Sequence, residues 1–164
     1  MKLAIVAVLA LALCYSIISC PEEKAYFCHE EGCAEIIAEE LSGAEEEVVF
    51  ASYTLTHPLI ATELILSHHN GVEVRGIIEK NNINSRYSQY QRLLEQGVNV
   101  KHDSNSALMH HKFFVIDKKT VITGSFNPTK SADSVNDDNL IVIRDSRIAV
   151  KYANEFDRMW HGNN

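Results

Sequence analysis

A chain of 164 residues, 46% hydrophobic and 23% charged, has room for one domain with a real hydrophobic core, which excludes an array of separate domains. Its formal net charge of −7 is unevenly spread: ten glutamates face the single Lys24 between Pro21 and Phe50, while nine Lys or Arg face four acids between Arg75 and Lys130, an excess of five. That basic block suits an anionic ligand, although a solvated face of mixed charge accounts for it as well.

The first element is a targeting signal. Lys2 precedes the low-polarity run Leu3 to Ile18, which ends at Ser19-Cys20. A basic start, a short apolar core and a small residue before the cut describe a secretory signal peptide over residues 1–19. Sixteen residues are short for a membrane span. "IISC", Ile17 to Cys20, resembles a bacterial lipobox, with isoleucine where leucine is usual. That resemblance implies lipidation of Cys20 and membrane attachment through the N-terminus. The expected location is extracytoplasmic, periplasmic or secreted, with the working domain over residues 25–164. Cys14 falls in the signal, which leaves Cys28 and Cys33 beyond it. In an oxidising compartment these two can close a disulfide loop around "HEEG", or stay free thiols. Zinc needs further ligands, and only His29 is near.

The remaining chain alternates between strands and helices. "AYF" reads as a short strand, and Cys33 to Leu41 as an apolar-periodic helix ended by Ser42-Gly43. Glu47 to Leu55 is a strand rich in β-branched and aromatic residues. Thr56 can cap the next helix, with Pro58 in its first turn and His68 to Gly71 closing it. Val72 to Ile78 is a strand, Tyr87 to Gln96 a helix stopped by Gly97, and Val98 to Val100 a strand. After a loop from Asp103 to Ala107, "KFFVID" and "TVITG" form a hairpin through Lys118-Lys119. "NLIVI" from Asn139 is a last strand, and Ile148 to Trp160 a closing amphipathic helix. The alternation predicts a single α/β domain with helices on both faces of the sheet, and the hairpin makes that sheet mixed.

The chemistry gathers around "HHKFFVID". His110, Lys112 and Asp117 fit H-x-K-x4-D, "GSFN" follows at Gly124 to Asn127, and "NDDNLIVI" begins at Asn136. This ordered set resembles the phospholipase D superfamily, with its H-x-K-x4-D, its G-S-x-N, and an acid and Asn before a strand. "SYTLTHPLIATEL", "GVEVRGIIEK" and "EFDRMW" are similar to the same family, so the likeness runs from about Tyr26 to Trp160. Within the superfamily it resembles the short, exported, single-motif bacterial endonucleases of the Nuc type. The resemblance implies a phospholipase D-like fold, a phosphohistidine intermediate, no metal or other cofactor, and a nucleic-acid substrate.

The residues fit that chemistry on their own terms. Cleaving a phosphodiester needs a nucleophile, positive charge at the phosphoryl oxygens and a proton for the leaving group. Histidine can attack phosphorus and can exchange protons near neutral pH. His110 and Lys112, two apart, point to one face of an extended strand. Lys112 can then hold a non-bridging oxygen while His110 attacks, and Ser125 and Asn127 can add hydrogen bonds as charge builds. By family analogy Asp138 orients His110 by accepting from its far ring nitrogen. Asp117 completes the motif but falls on the opposite strand face, where it reads as a structural partner. Lys118, Lys119, Lys130 and Arg86 are candidate substrate contacts, as are Lys80 and Arg92.

Two departures stand out. The family usually carries glutamate where Asp138 stands, so the carboxylate reaches one methylene less far. Pro128 replaces an aromatic residue that related nucleases often carry for base stacking. His111 alternates away from the motif face, His68 and His69 read as cations at a helix C-terminus, His57 sits near a helix start, and His102 and His161 have no evident partner set. One copy of the motif supplies one histidine where two-step chemistry needs two, which implies a homodimer sharing one active site. The competing expectations are hydrolysis of phospholipid head groups and an inactive nucleic-acid-binding relative.

Overall fold

A computed structural model describes residues 22–162. The signal peptide, Cys14 and Cys20 lie outside the described residues. In chain order the elements are β1 (Glu22–Phe27), α1 (Cys28–Glu31), α2 (Cys33–Ser42), β2 (Glu47–Ser52), α3 (Pro58–His69), β3 (Glu73–Ile78), α4 (Tyr90–Glu95), β4 (Asn99–His102), β5 (Lys112–Ile116), β6 (Thr120–Gly124), α5 (Lys130–Ser134), β7 (Asn139–Arg144) and α6 (Ser146–Trp160).

The strands form one seven-stranded sheet ordered β1-β7-β6-β5-β2-β3-β4. β2, β3 and β4 run parallel because α3 and α4 carry the chain back between them. β5, β6 and β7 follow as an antiparallel meander that joins β2 through β5 and takes β1 on its far edge. The sheet is therefore mixed, as the sequence predicts. On one face Val48, Phe50, Phe114, Ile116 and Ile122 pack with Ile37, Leu41, Ile60 and Leu64 of α2 and α3. On the other, Val49, Ala51, Ile77, Phe113, Val115 and Val121 meet Ala149, Ala153 and Phe156 of α6. Even and odd strand positions thus feed two separate cores. Gly76 in β3 is forced by packing, since a Cβ there would stand 2.1 Å from the Phe50 ring.

Several boundaries differ from expectation because their partners are distant in sequence. β1 begins at Glu22 rather than Ala25, paired along its whole length with β7 from Glu22↔Arg144 to Phe27↔Asn139. α4 loses its expected first turn, where Ser88 N donates to Ser85 O and closes a separate turn. Thr56 does not cap α3: His57 holds the cap position without a side-chain bond, and both Thr56 N and His57 N donate to Pro128 O at 2.9 Å. The short α5, capped by Thr129 Oγ1 on Ala132 N, has no counterpart in the sequence reading.

The β5–β6 hairpin turns at Asp117 and Lys118, both with φ of 51°. Positive φ at both central residues matches the strand twist, but neither is glycine, so the turn is strained. Asp117 offsets that strain: its carboxylate accepts from the backbone N–H of Glu45, Glu46 and Glu47 at 3.0, 2.8 and 2.9 Å. Burial disfavours its charge, yet these donors outweigh burial and hold the carboxyl below its ordinary value of 3.8. Asp117→Ala is expected to cost about 1.5–3 kcal/mol, the worth of hydrogen bonds to a charged acceptor. The depressed pKa means this contribution exists above 3.8 and fades as pH falls through the lower folded-state value. Urea unfolding should show a lowered midpoint at neutral pH and convergence with wild type in acid.

Candidate active site

One end of the sheet gathers the functional segments. There Ser52 at the end of β2 lies opposite Lys112, beside Ile78 of β3. Gly124 at the end of β6 lies opposite Leu140, and Phe27 opposite Asn139. His110 precedes β5, anchored by Met109, which is buried against the α6 face. Tyr53 N donates to His111 O at 2.8 Å, extending the β2–β5 ladder past Lys112.

The structure brings His110 and Lys112 together. Lys112 Nζ lies 3.3 Å from each His110 ring nitrogen and donates to His110 O at 3.1 Å. The Tyr53 ring stands edge-on to His110, centroids 4.6 Å apart, with Lys112 Nζ 5.5 Å from its centre. His110 is exposed and Lys112 half-buried. Burial lowers the Lys112 pKa, partly countered by the charge of Asp138. A partly desolvated ammonium beside an accessible imidazole is suited to gripping a phosphoryl oxygen next to a nucleophile.

The β6–α5 loop and the start of β7 supply the second wall. Gly124 permits the close crossing there, since a Cβ would stand 2.3 Å from Asn139 O. Ser125 Oγ donates to Asp138 Oδ1 at 2.7 Å and accepts from Asn139 N at 3.0 Å. Asn136 Nδ2 reaches Asp138 Oδ2 at 3.5 Å. Phe126 is buried and fixes the loop, while Asn127 Oδ1 is buried with no hydrogen-bond partner. The expected pairing of Asp138 with the His110 ring is replaced by its bond to Ser125. The shorter aspartate arm stops at the hydroxyl, and its charge reaches Lys112 through space.

Other expectations need correction. Lys118 and Lys119 lie in the hairpin turn at the far end of β5, where Lys118 Nζ pairs with Glu47 at 2.9 Å. They are not beside His110, and neither is Asp117, whose carboxylate caps the segment before β2. Arg92 bonds Thr62 and Pro58 on α3, and Lys80 donates to Asn105 O. Arg86 in the β3–α4 loop and Lys130 opening α5 remain on the His110 side, Arg86 lying 5.2 Å over the Tyr87 ring. His111 points toward α6, 3.6 Å from Glu155. Cys28 and Cys33 are joined by a disulfide that ties α1 to α2.

Three features escaped the sequence reading. Tyr53 touches both motif residues, a consequence of ending β2 directly beside β5. Glu79 and Asp103, which the sequence reading counted only as charges in the basic block, are buried. The exposed apolar side chains Phe27 (65%), Tyr87 (65%), Leu108 (55%) and Val135 (72%) all lie in segments at this end of the sheet.

Comparisons with known proteins agree with this geometry. A family model described as cardiolipin synthase, PLD-like domain, matches residues 37–160. Phospholipase D of Rickettsia conorii is 37% identical over 121 residues, covering 74% of this chain and 60% of that protein. Mitochondrial cardiolipin hydrolase of Xenopus laevis is 34% identical over 132 residues, 80% of this chain and 63% of that protein. The chain thus spans about 60% of the length of the first of these relatives. Among solved structures, Nuc from Salmonella typhimurium, a phospholipase D family member, superposes with a TM-score of 0.81 at 26% identity, over 86% of this chain and 95% of that one. NucT from Helicobacter pylori gives 0.78 at 25% identity, over 86% and 96%. With the family model spanning residues 37–160 and the motif residues assembled at one sheet end, the chain belongs to the PLD-like domain family of the phospholipase D superfamily.

Proposed function

We propose that the protein is a metal-independent phosphodiesterase that cleaves nucleic acid through a phosphohistidine on His110. The observation that carries this reading is the juxtaposition of His110 and Lys112, 3.3 Å apart at an open sheet end. A His110 ring nitrogen attacks phosphorus, and the bond from phosphorus to the leaving oxygen breaks. Lys112 holds a non-bridging oxygen, and a second histidine protonates the leaving alcohol. Water, deprotonated by that second histidine, then attacks phosphorus, the N–P bond breaks, and a phosphomonoester departs. The second histidine is His110 of another copy, which makes the working unit a homodimer around one phosphate. Asn127, whose buried Oδ1 has no partner, follows β6 at the same end of the sheet and is assigned to the phosphate pocket.

Nucleic acid is favoured by the likeness to the two Nuc structures over nearly their whole length, and by Arg86 and Lys130 on the His110 side. The disulfide between Cys28 and Cys33 supports the extracytoplasmic location expected from the N-terminus. A second reading, hydrolysis of phospholipid head groups, draws on the apolar side chains Phe27, Tyr87, Leu108 and Val135 and on the names of the curated relatives.

Plasmid DNA, RNA and cardiolipin-containing vesicles assayed in parallel separate the two. Cleavage of nucleic acid is expected, undiminished in excess EDTA because His110 and Lys112 supply nucleophile and charge. Its affinity should fall with rising salt as phosphate counterions are released. Abolition by EDTA with recovery on magnesium would overturn the mechanism. Vesicle hydrolysis with intact nucleic acid would replace the substrate.

A further inference from the structure

Behind the histidine–lysine pair, two buried carboxyls stand side by side, each one residue past the paired Ile78 and His102 that end the parallel β3–β4 ladder. Glu79 follows β3 and is 0% exposed; Asp103 follows β4 and is 5% exposed. Glu79 N donates to Ser52 O, and Asp103 N to Ile78 O, so both are rooted in the sheet. Glu79 Oε2 accepts from Met109 N at 2.9 Å, the residue directly before His110. Its Oε1 accepts from Asn81 Nδ2 at 2.6 Å and Asn81 N at 3.3 Å. Asp103 Oδ1 accepts from Asn105 N at 2.6 Å, while its Oδ2 is buried with no donor. Two buried carboxylates side by side with no donor between them repel each other. One proton on Asp103, donated to Glu79, satisfies both groups.

We propose that Glu79 and Asp103 form a one-proton clamp on the segment entering His110, so that Glu79 is a positioning residue for the nucleophile; this rests on the phosphodiesterase reading of His110. Both carboxyls hold the segment that leads to His110. Met109 is held by Glu79, Asn105 by Asp103, and Asn105 O also by Lys80. The surrounding ionisable groups are Lys80, His102 against Asp103 O, and His110, His111 and Arg158, which line a small cavity with Asp103 and Met109.

The clamp has a defined pH sense. Burial, reinforced by Glu79, raises the Asp103 carboxyl above its ordinary 3.8. Burial works the same way on Glu79, but the Met109 and Asn81 N–H groups outweigh it and keep Glu79 ionised. Stabilisation by protonated Asp103 is therefore complete below 3.8 and lost as pH rises through its raised value, when both carboxyls carry charge.

Asp103→Asn places a permanent N–H donor where the proton sits and is the decisive variant. The two readouts are hydrogen exchange at the Met109 amide, corrected for intrinsic rates, and kcat for bis(p-nitrophenyl) phosphate, both followed against pH. In the wild type, protection and kcat are expected to fall together as pH rises through the Asp103 transition. In Asp103→Asn both should hold across that transition. Glu79→Ala should expose the Met109 amide and lower kcat at least about tenfold with KM nearly unchanged, since small displacements of a reacting group are costly. An Asp103→Asn profile that tracks the wild type would overturn the clamp, as would a folded Glu79→Ala with wild-type kcat. If Glu79→Ala does not fold, the Asp103→Asn comparison decides alone. A wild type inert on every phosphodiester would overturn the functional reading instead, while Met109 exchange would still judge the clamp.

Discussion

Replacing His110 by alanine is expected to lower phosphodiester cleavage by about 10³-fold or more while leaving the fold intact. A positioned acid–base group alone contributes about 10²–10⁴, and in the proposed mechanism a His110 nitrogen also bonds phosphorus. The ring is exposed, and its side-chain contacts are Lys112 and Tyr53, so the cores on either side of the sheet lose nothing when it is removed. Thermal unfolding should therefore stay near that of the wild type. Lys112→Ala should produce a comparable loss, because Lys112 Nζ is the cation held 3.3 Å from both His110 ring nitrogens. Lys112→Arg should not restore activity, since a planar fork cannot replace a compact ammonium at that spot. The lowered Lys112 pKa adds a pH signature: its charge, and with it activity, is lost on the alkaline side at a pH below the ordinary lysine value of 10.5. Substrate labelled at phosphorus and quenched in alkali should leave the label on His110 by mass spectrometry. Label on Ser125 would reassign the nucleophile, and its hydroxyl is already committed to Asp138.

The motif pair was legible because its geometry is local. Residues two apart in an extended chain must share a face, so His110 and Lys112 had to meet whatever else the chain did. Strand and helix identities followed for the same reason, from periodicity within each segment. What escaped the reading depends on contacts across the sequence. Glu79 looks like any acid closing a strand, and its surroundings come from Met109, 30 residues away, and from Asp103 just past the neighbouring strand. Lys118 and Lys119 were counted with the site because they are near it along the chain. β5 has five residues, and its four rises of about 3.3 Å put its two ends about 13 Å apart. A charge sum over sequence cannot register that separation. Asp138 went to Ser125 rather than His110 because loop geometry, absent from the motif, decides where a short carboxylate ends.

Mixing His110→Ala subunits into wild-type protein under exchange conditions should lower activity as the square of the wild-type fraction. The reason is the shortage of histidines. Attack uses one imidazole, and protonation of the leaving group followed by activation of water uses another. Among the described residues the other histidines nearest this end are engaged elsewhere: His111 turns to Glu155 on α6, His57 is buried beside Asp133 with its pKa lowered by that burial, His102 faces the Asp103 backbone, and His29, which lines a cavity with Asp138, bonds Ser134 O at 3.1 Å. A two-fold axis through the open sheet end would present His110, Lys112 and Asn127 twice around one phosphate. It would also cover apolar side chains, Phe27, Tyr87, Leu108 and Val135, that a lone copy leaves in water. In a mixed dimer the wild-type histidine has no acid opposite it, or the mutant site has no nucleophile, and in either case turnover stops. At one wild-type subunit in ten, activity should therefore be about one hundredth of the undiluted value rather than one tenth. Sedimentation should show a dimer at assay concentrations, and Leu108→Glu or Val135→Glu should shift it toward monomer with loss of activity. A linear decline on mixing, or full turnover by a demonstrated monomer, would mean that each chain holds a complete site and that the second acid lies within it.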